Sequence, residues 1–421
     1  MSQLRRPAHL ATTRHLGAAY PFAADSGLGR SGVYIGRDLC GGPFFYDPFA
    51  LYRRGLLSNP NMVVFGQLGR GKSALVKSYL WRQSAFGVHA WVIDPKGEYA
   101  PLARAWDVAP VALCPGGRLR LNPLDAPLLT GDNEALQRWR AELLAAVVGA
   151  SLDRPLEPME RTALELAVTE ASTRATQLTL PAVVEALLSP SAASAATVRT
   201  EVSRLAAQSQ AVALELRRLV AGDLRGMFDG PTSAGIDLRA PAVVLDLSAV
   251  YHSPALAVLM TCAAAWLQAA LRSERDARAT LLVVDEAWAV LRSTAVARWL
   301  QSSWKLSRAW GVANMAVLHR VSDLAAAGAA GSEEVQLSEG LLADSETRVV
   351  FAQSPGQVAE AAAVLGLSDT EVELVPRLGR GVALWKVGGR SFLVQHRLSS
   401  GEAALVDTDA RMRAGVPDTV R

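Results

Sequence analysis

Apolar and polar positions fall into two regimes along the chain. In the first, short and almost unbroken apolar runs recur: Met62 to Phe65, Val88 to Ile93, Val108 to Leu113, Val243 to Leu247, Leu281 to Val284, Ala313 to Leu318 and Arg348 to Ala352. Runs of this length that do not alternate suit strands covered on both faces. Helical pattern separates most neighbours, which predicts a mainly parallel α/β sheet. In the second regime, from about 132 to 222, apolar residues return at helical spacing, as in Leu136, Trp139, Leu143, Leu144 and Val147. Thr179-Leu180-Pro181 reads as a helix start, with Thr179 capping and Pro181 in the first turn. An all-helical insertion is expected there.

The same pattern divides the chain. Residues 1–60, rich in Gly, Pro and aromatic residues, read as a leading segment packed beside a nucleotide domain, with strand candidates at Gly32 to Gly36 and Phe44 to Pro48. The nucleotide domain then takes 61–131, the helical insertion 132–235 and the rest of the domain 236–400. Near its end, Val382 to Val387 and Ser391 to Gln395 flank Gly388-Gly389, a hairpin signal. The polar tail 401–421 is expected to fray.

Chemistry enters where the first apolar run stops. Gly66-Gln67-Leu68-Gly69-Arg70-Gly71-Lys72-Ser73 follows Phe65 directly, and helical pattern begins at Ala74. This is G-x-x-x-x-G-K-S between a strand and a helix. The glycines let successive backbone N–H groups curl inward toward phosphate oxygens, and the helix start adds its positive dipole end. Lys72 reaches the β- and γ-phosphates, and the Ser73 hydroxyl suits Mg²⁺. The bland alternative is a glycine-rich turn, which the flanking strand and helix disfavour. With only five lysines among 43 basic residues, a compact ammonium stands where a phosphate needs one. The spacing therefore predicts binding of ATP or a similar nucleoside triphosphate with Mg²⁺.

A second run, Leu281 to Val284, ends in Asp285-Glu286. Acids at the carboxyl end of a parallel strand lie at the mouth where ligands bind. Asp285 suits Mg²⁺, and Glu286 suits polarising the water that attacks the γ-phosphate. Asp94-Pro95-Lys96-Gly97-Glu98-Tyr99 follows another strand in the same way. Asp94 and Glu98 suit metal or water positioning and Lys96 suits phosphate, with a solvated Pro–Gly turn weighed equally against them. Positive charge against the γ-phosphate is sought in Arg308, with Arg320 and Arg348 as further candidates. His319, after a core strand, is a candidate γ-phosphate sensor, beside the reading of a satisfied structural histidine.

Composition adds mainly exclusions. The 421 residues suffice for two domains or one large domain with insertions, and half of them are apolar. A formal charge of +3 does not announce nucleic acid, and Arg5-Arg6 and Arg217-Arg218 are too short to track a duplex. Cys40, Cys114 and Cys262 show no metal or disulfide spacing, which fits a reducing cytosol. Ala255 to Leu271 reads as a buried helix rather than a membrane span, and the N-terminus shows no signal-peptide pattern.

Taken together, these motifs resemble the large ATPase of conjugation and type IV secretion machines, the TraC type, in the HerA–FtsK branch of RecA-like P-loop ATPases. The matching pieces are Gly66 to Ser73, Ile93 to Tyr99, Leu121-Asn122-Pro123-Leu124, Met227 to Gly230, Val284 to Trp288 and His319 to Leu324, in the family's order. The resemblance covers roughly residues 30 to 400. It implies a RecA-like fold, ATP hydrolysis at the interfaces of a homo-hexamer, and association with membrane-bound secretion or conjugation components. It also implies a cytoplasmic protein, peripheral at the inner face of the membrane. The chain departs from the family in two ways. About sixty residues precede the phosphate loop where the family usually has a large N-terminal domain, and His319 stands where Gln is common. A DNA translocase of the same branch and a nucleotide-gated scaffold with little turnover are the competing expectations.

Overall fold

In the computed structural model the described residues are 27–407, less 126–132, 153, 223, 239, 252, 254–255, 257, 264–265, 267–277, 292–293 and 321–331. The strands are β1 (Val33–Asp38), β2 (Pro43–Tyr46), β3 (Met62–Phe65), β4 (His89–Asp94), β5 (Val111–Ala112), β6 (Ala242–Asp246), β7 (Thr280–Val284), β8 (Val312–Leu318), β9 (Thr347–Phe351), β10 (Val382–Val387) and β11 (Arg390–His396). They form one eleven-stranded sheet in the order β2-β1-β11-β10-β9-β3-β8-β7-β4-β6-β5. From β9 to β5 every neighbouring pair is parallel, and from β9 to β2 every pair is antiparallel.

Alternation within the strands explains how one sheet supports two cores. Val63, Phe65, Trp91, Ile93, Leu282 and Val284 face one layer, which also receives Leu144, Leu164, Val183 and Leu216 from the helical region. Met62, Val64, Val92, Leu281 and Val283 face the other, against Leu75, Val76, Tyr79 and Leu80 of the helix Lys72–Ser84. Strands buried on both sides read as unbroken apolar runs for this reason. Between β5 and β6 the described structure is helical, with Asn133–Leu152, Pro158–Arg174, Leu180–Leu188, Ala192–Thr197 and Val202–Ala221.

Several expectations change. The leading segment does not merely pack beside the sheet. Its β1 pairs with β11, Gly36 opposite His396, and extends the sheet by two strands. The run Val108 to Leu113 pairs only over Val111–Ala112. The start of the tail is not frayed: Ser400–Val406 is a helix with a Ser399–Glu402 capping box, and Glu402 accepts from Arg82 Nε at 2.6 Å and Arg82 Nη2 at 2.7 Å. Arg5-Arg6, most of Ala255 to Leu271, and Val321 to Leu324 lie outside the described residues. No helix among the described residues is long and apolar enough to cross a membrane.

Candidate nucleotide site

Sheet order alone gathers the chemistry. β3, β8, β7 and β4 are consecutive and parallel, with Phe65 opposite Leu318, Ala316 opposite Val284, and Val284 opposite Ile93. Their carboxyl ends therefore lie along one edge and present the glycine loop, His319, the acid pair Asp285-Glu286 and the loop Asp94–Tyr99. The backbone of the glycine loop requires glycine: φ is +154° at Gly66, +73° at Gly69 and +112° at Gly71. A Cβ at Gly66 would also lie 2.5 Å from Phe351 Cβ. Gly71 starts the helix without a side-chain cap, so the first-turn N–H groups face the loop's concavity.

Lys72 is only 5 % exposed and folds back over its own loop. Its ammonium contacts Gly66 O, donates to Gln67 O at 3.0 Å, and lies 3.1 Å from His319 Nδ1. The other ring nitrogen of His319, Nε2, is 2.7 Å from Glu286 Oε1. Because an ammonium can only donate, Nδ1 accepts and Nε2 carries the proton it gives to the carboxylate. Lys96 Nζ pairs with the same Oε1, and Trp288 Nε1 donates to Oε2 at 2.6 Å. Burial pushes the Glu286 carboxyl up, but the donors from His319, Lys96 and Trp288 outweigh it and hold the group down to about 2. Glu286 also sits at φ +47°, ψ +45°, a left-handed backbone that costs a non-glycine residue on the order of 1 kcal/mol or more. Strain of this kind collects at functional sites.

Asp285 is held from two sides. Tyr99 Oη donates to Oδ2 at 3.0 Å and the Glu286 N–H to Oδ1 at 2.9 Å. Asp94 secures the neighbouring loop by accepting from Lys96 N at 3.2 Å and Tyr99 N at 2.9 Å. Burial raises Asp285, and burial likewise raises Asp94 to about 6. Glu98 faces Lys77 instead, which donates to its backbone oxygen at 2.8 Å and lies 3.8 Å from its carboxylate. Among the described residues no group of three or more His, Cys, Asp or Glu can hold a metal unaided. The donors present, one hydroxyl at Ser73 and one buried acid at Asp285, fit Mg²⁺, a cation that keeps phosphate and water ligands.

The structure thus brings together Lys72, Ser73, Asp94, Lys96, Asp285, Glu286 and His319 at one sheet edge. It does not bring in Arg308, which is exposed near the end of the helix Thr294–Trp310, ahead of β8 and so at the opposite edge. Arg348 sits early in β9 and donates to Leu365 O at 3.2 Å, also away from the loop. Tyr99 and Trp288 have contacts that sequence reasoning missed, because both reach carboxylates through the fold. Gln353 was missed too. It is buried after β9 with no side-chain hydrogen bond among the described residues, next to Ala352, whose oxygen accepts from Gln67 N at 3.2 Å.

No protein-family model matches the chain, and no curated protein does. Solved structures do. VirB4 of Thermoanaerobacter pseudethanolicus is similar at a TM-score of 0.67 and 23% identity, over 90% of this chain and 100% of that one. The plasmid coupling protein TrwB in complex with the ATP analogue ADPNP is similar at 0.58 and 14% identity, over 88% and 91% of the two chains. TrwB in complex with ADP and Mg²⁺ gives 0.55 and 14%, over 81% and 85%. At these identities the likeness is one of fold. The chain has the mixed α/β fold, built on a large mostly parallel sheet, that VirB4 and TrwB share.

Proposed function

We propose that the chain is the ATP-hydrolysing motor of a conjugation or type IV secretion-type transfer machine. One observation carries the hydrolase part: the phosphate-loop lysine and the strand-end glutamate, 214 positions apart (286 − 72), are joined through a single histidine at the mouth of the loop. In this reading the loop amides and Lys72 bind the triphosphate. Glu286 takes a proton from water as the water oxygen bonds to the γ-phosphorus; the bond from that phosphorus to the β-bridging oxygen breaks, and ADP leaves with the electron pair. Ser73 and Asp285 would hold Mg²⁺, which would supply screening of the phosphate charge. His319 reports γ-phosphate contact at Lys72 to Glu286.

The machine part rests on the shared fold of VirB4, and of TrwB, whose description is a bacterial conjugative coupling protein. With it come a homo-hexamer, an arginine supplied across a subunit contact, and docking to membrane-bound secretion components from the cytoplasmic side. The test is Mg²⁺-dependent ATP turnover measured alongside particle size, with and without DNA. Turnover that is absent in the unaltered chain overturns the motor reading. Turnover that is dependent on DNA moves the assignment to a translocase.

A further inference from the structure

The geometry points to Lys96 as a positioning residue that occupies the base until a γ-phosphate draws it away. This rests on the hydrolase reading above and deepens it. The Glu286 carboxylate receives Lys96 and His319 on Oε1 and Trp288 on Oε2. An sp² oxygen has two lone pairs, so Oε1 is saturated and only one acceptor site remains, on Oε2. Oε1 is the oxygen that His319 links to Lys72 of the glycine loop, and a water that is to lose its proton to it must first displace a donor.

The three donors differ in freedom. His319 is anchored through Nδ1 to Lys72, and Trp288 lies two residues from Glu286 in the same turn. Lys96 is the less enclosed of the pair that share Oε1. Its side chain is 40 % exposed, against 21 % for that of His319 and 6 % for that of Glu286, and it extends from a loop fixed by Asp94 and Tyr99 at its backbone rather than at its head. Its ammonium therefore swings without disturbing the sheet. A γ-phosphate at the glycine loop competes for that ammonium with more charge than one carboxylate carries. Triphosphate would free the base where diphosphate would not. Lys96 couples the number of phosphates to the availability of Oε1 of Glu286.

The test is a double-mutant cycle read as Mg²⁺-nucleotide affinity, with ADPNP and ADP as probes. Lys96→Met lowers ADPNP affinity about tenfold and leaves ADP within about twofold, since one charge-assisted contact is lost from the γ-phosphate alone. Glu286→Gln, which releases the lysine, tightens ADPNP about fivefold or more but not ADP, and the tightening disappears when Lys96 is already Met. Lys96→Arg keeps the charge and retains the preference for ADPNP. Equal tightening with and without Lys96 overturns the inference, as does a Lys96→Met change that weakens both nucleotides alike. Glu286→Gln alone decides the matter if Lys96→Met does not fold: no selective tightening for ADPNP overturns it. Absence of nucleotide binding in the unaltered chain defeats the hydrolase reading instead.

Discussion

The hydroxyl of Tyr99 donates to Asp285 Oδ2 at 3.0 Å, tying the loop after β4 to the acidic end of β7 across 186 positions of sequence. The Tyr99 ring is fully buried, and the Lys77 ammonium lies 5.0 Å from its centre. Tyr99→Phe keeps the ring and removes only the donor. It should cost about 1 kcal/mol of stability and raise the Mg²⁺ needed for half-maximal turnover about fivefold, as the acid loses its orientation. Titrating turnover with Mg²⁺ checks this. An unchanged requirement would leave Tyr99 a purely structural partner of Asp285.

Lys72→Ala removes an ammonium that packs inside the loop, so nucleotide binding and turnover should both disappear. Glu286→Gln should retain binding and lose turnover by roughly 10²-fold or more, because the amide cannot take the proton. Equilibrium binding of a fluorescent ATP analogue beside steady-state turnover separates the two. Normal turnover in the Gln variant would move the base elsewhere.

His319 accepts on one nitrogen and donates on the other, and a glutamine amide can do both. His319→Gln should therefore keep turnover within about fivefold, whereas His319→Ala should lose roughly 10- to 100-fold with little change in KM. Equal losses in the two variants would show that the link between Lys72 and Glu286 does not depend on hydrogen bonding.

How much of this was legible before the fold was known follows from sequence distance. The glycine loop and the strand ending in Asp285-Glu286 are local signals, since spacing and adjacency carry their chemistry. The mainly parallel character of the sheet was readable as well, because strands covered on both faces write unbroken apolar runs. The contacts of Tyr99, Trp288 and Lys96 were not, since each depends on which strand lies beside which. The pairing of β1 with β11 joins Gly36 to His396. Nothing local at either end announces it, and the leading residues read as a separate segment. The left-handed backbone of Glu286 was equally silent, since no glycine marks it.

Arg308, like Arg348, is a candidate that the fold leaves apart from the glycine loop. Within a single chain it lies at the opposite sheet edge, so Arg308→Ala should keep turnover within about twofold if no neighbouring subunit uses it. A large loss that is partly restored by mixing with Lys72→Ala would place Arg308 in the site of an adjacent subunit. Turnover of the mixed and separate variants decides between these outcomes.

His396 gives a pH signature independent of catalysis. It ends β11, with Nε2 2.9 Å from Ser78 Oγ on the phosphate-loop helix. Burial pushes its pKa down to about 4 from 6.5; Arg82 acts in the same direction, while Glu402 opposes. The unfolded chain takes up this proton near the ordinary value and the folded chain only well below it. The contribution to stability is therefore complete above the ordinary value and is lost as pH falls toward about 4. At about 1.4 kcal/mol per pH unit the loss reaches up to about 3 kcal/mol. Urea midpoints at neutral pH and near the lower end of that window should fall further apart in the unaltered chain than in His396→Gln, which cannot take the proton. Other acids titrate alike in both chains and cancel in the comparison, so an identical fall would show that this ring does not carry the acid sensitivity.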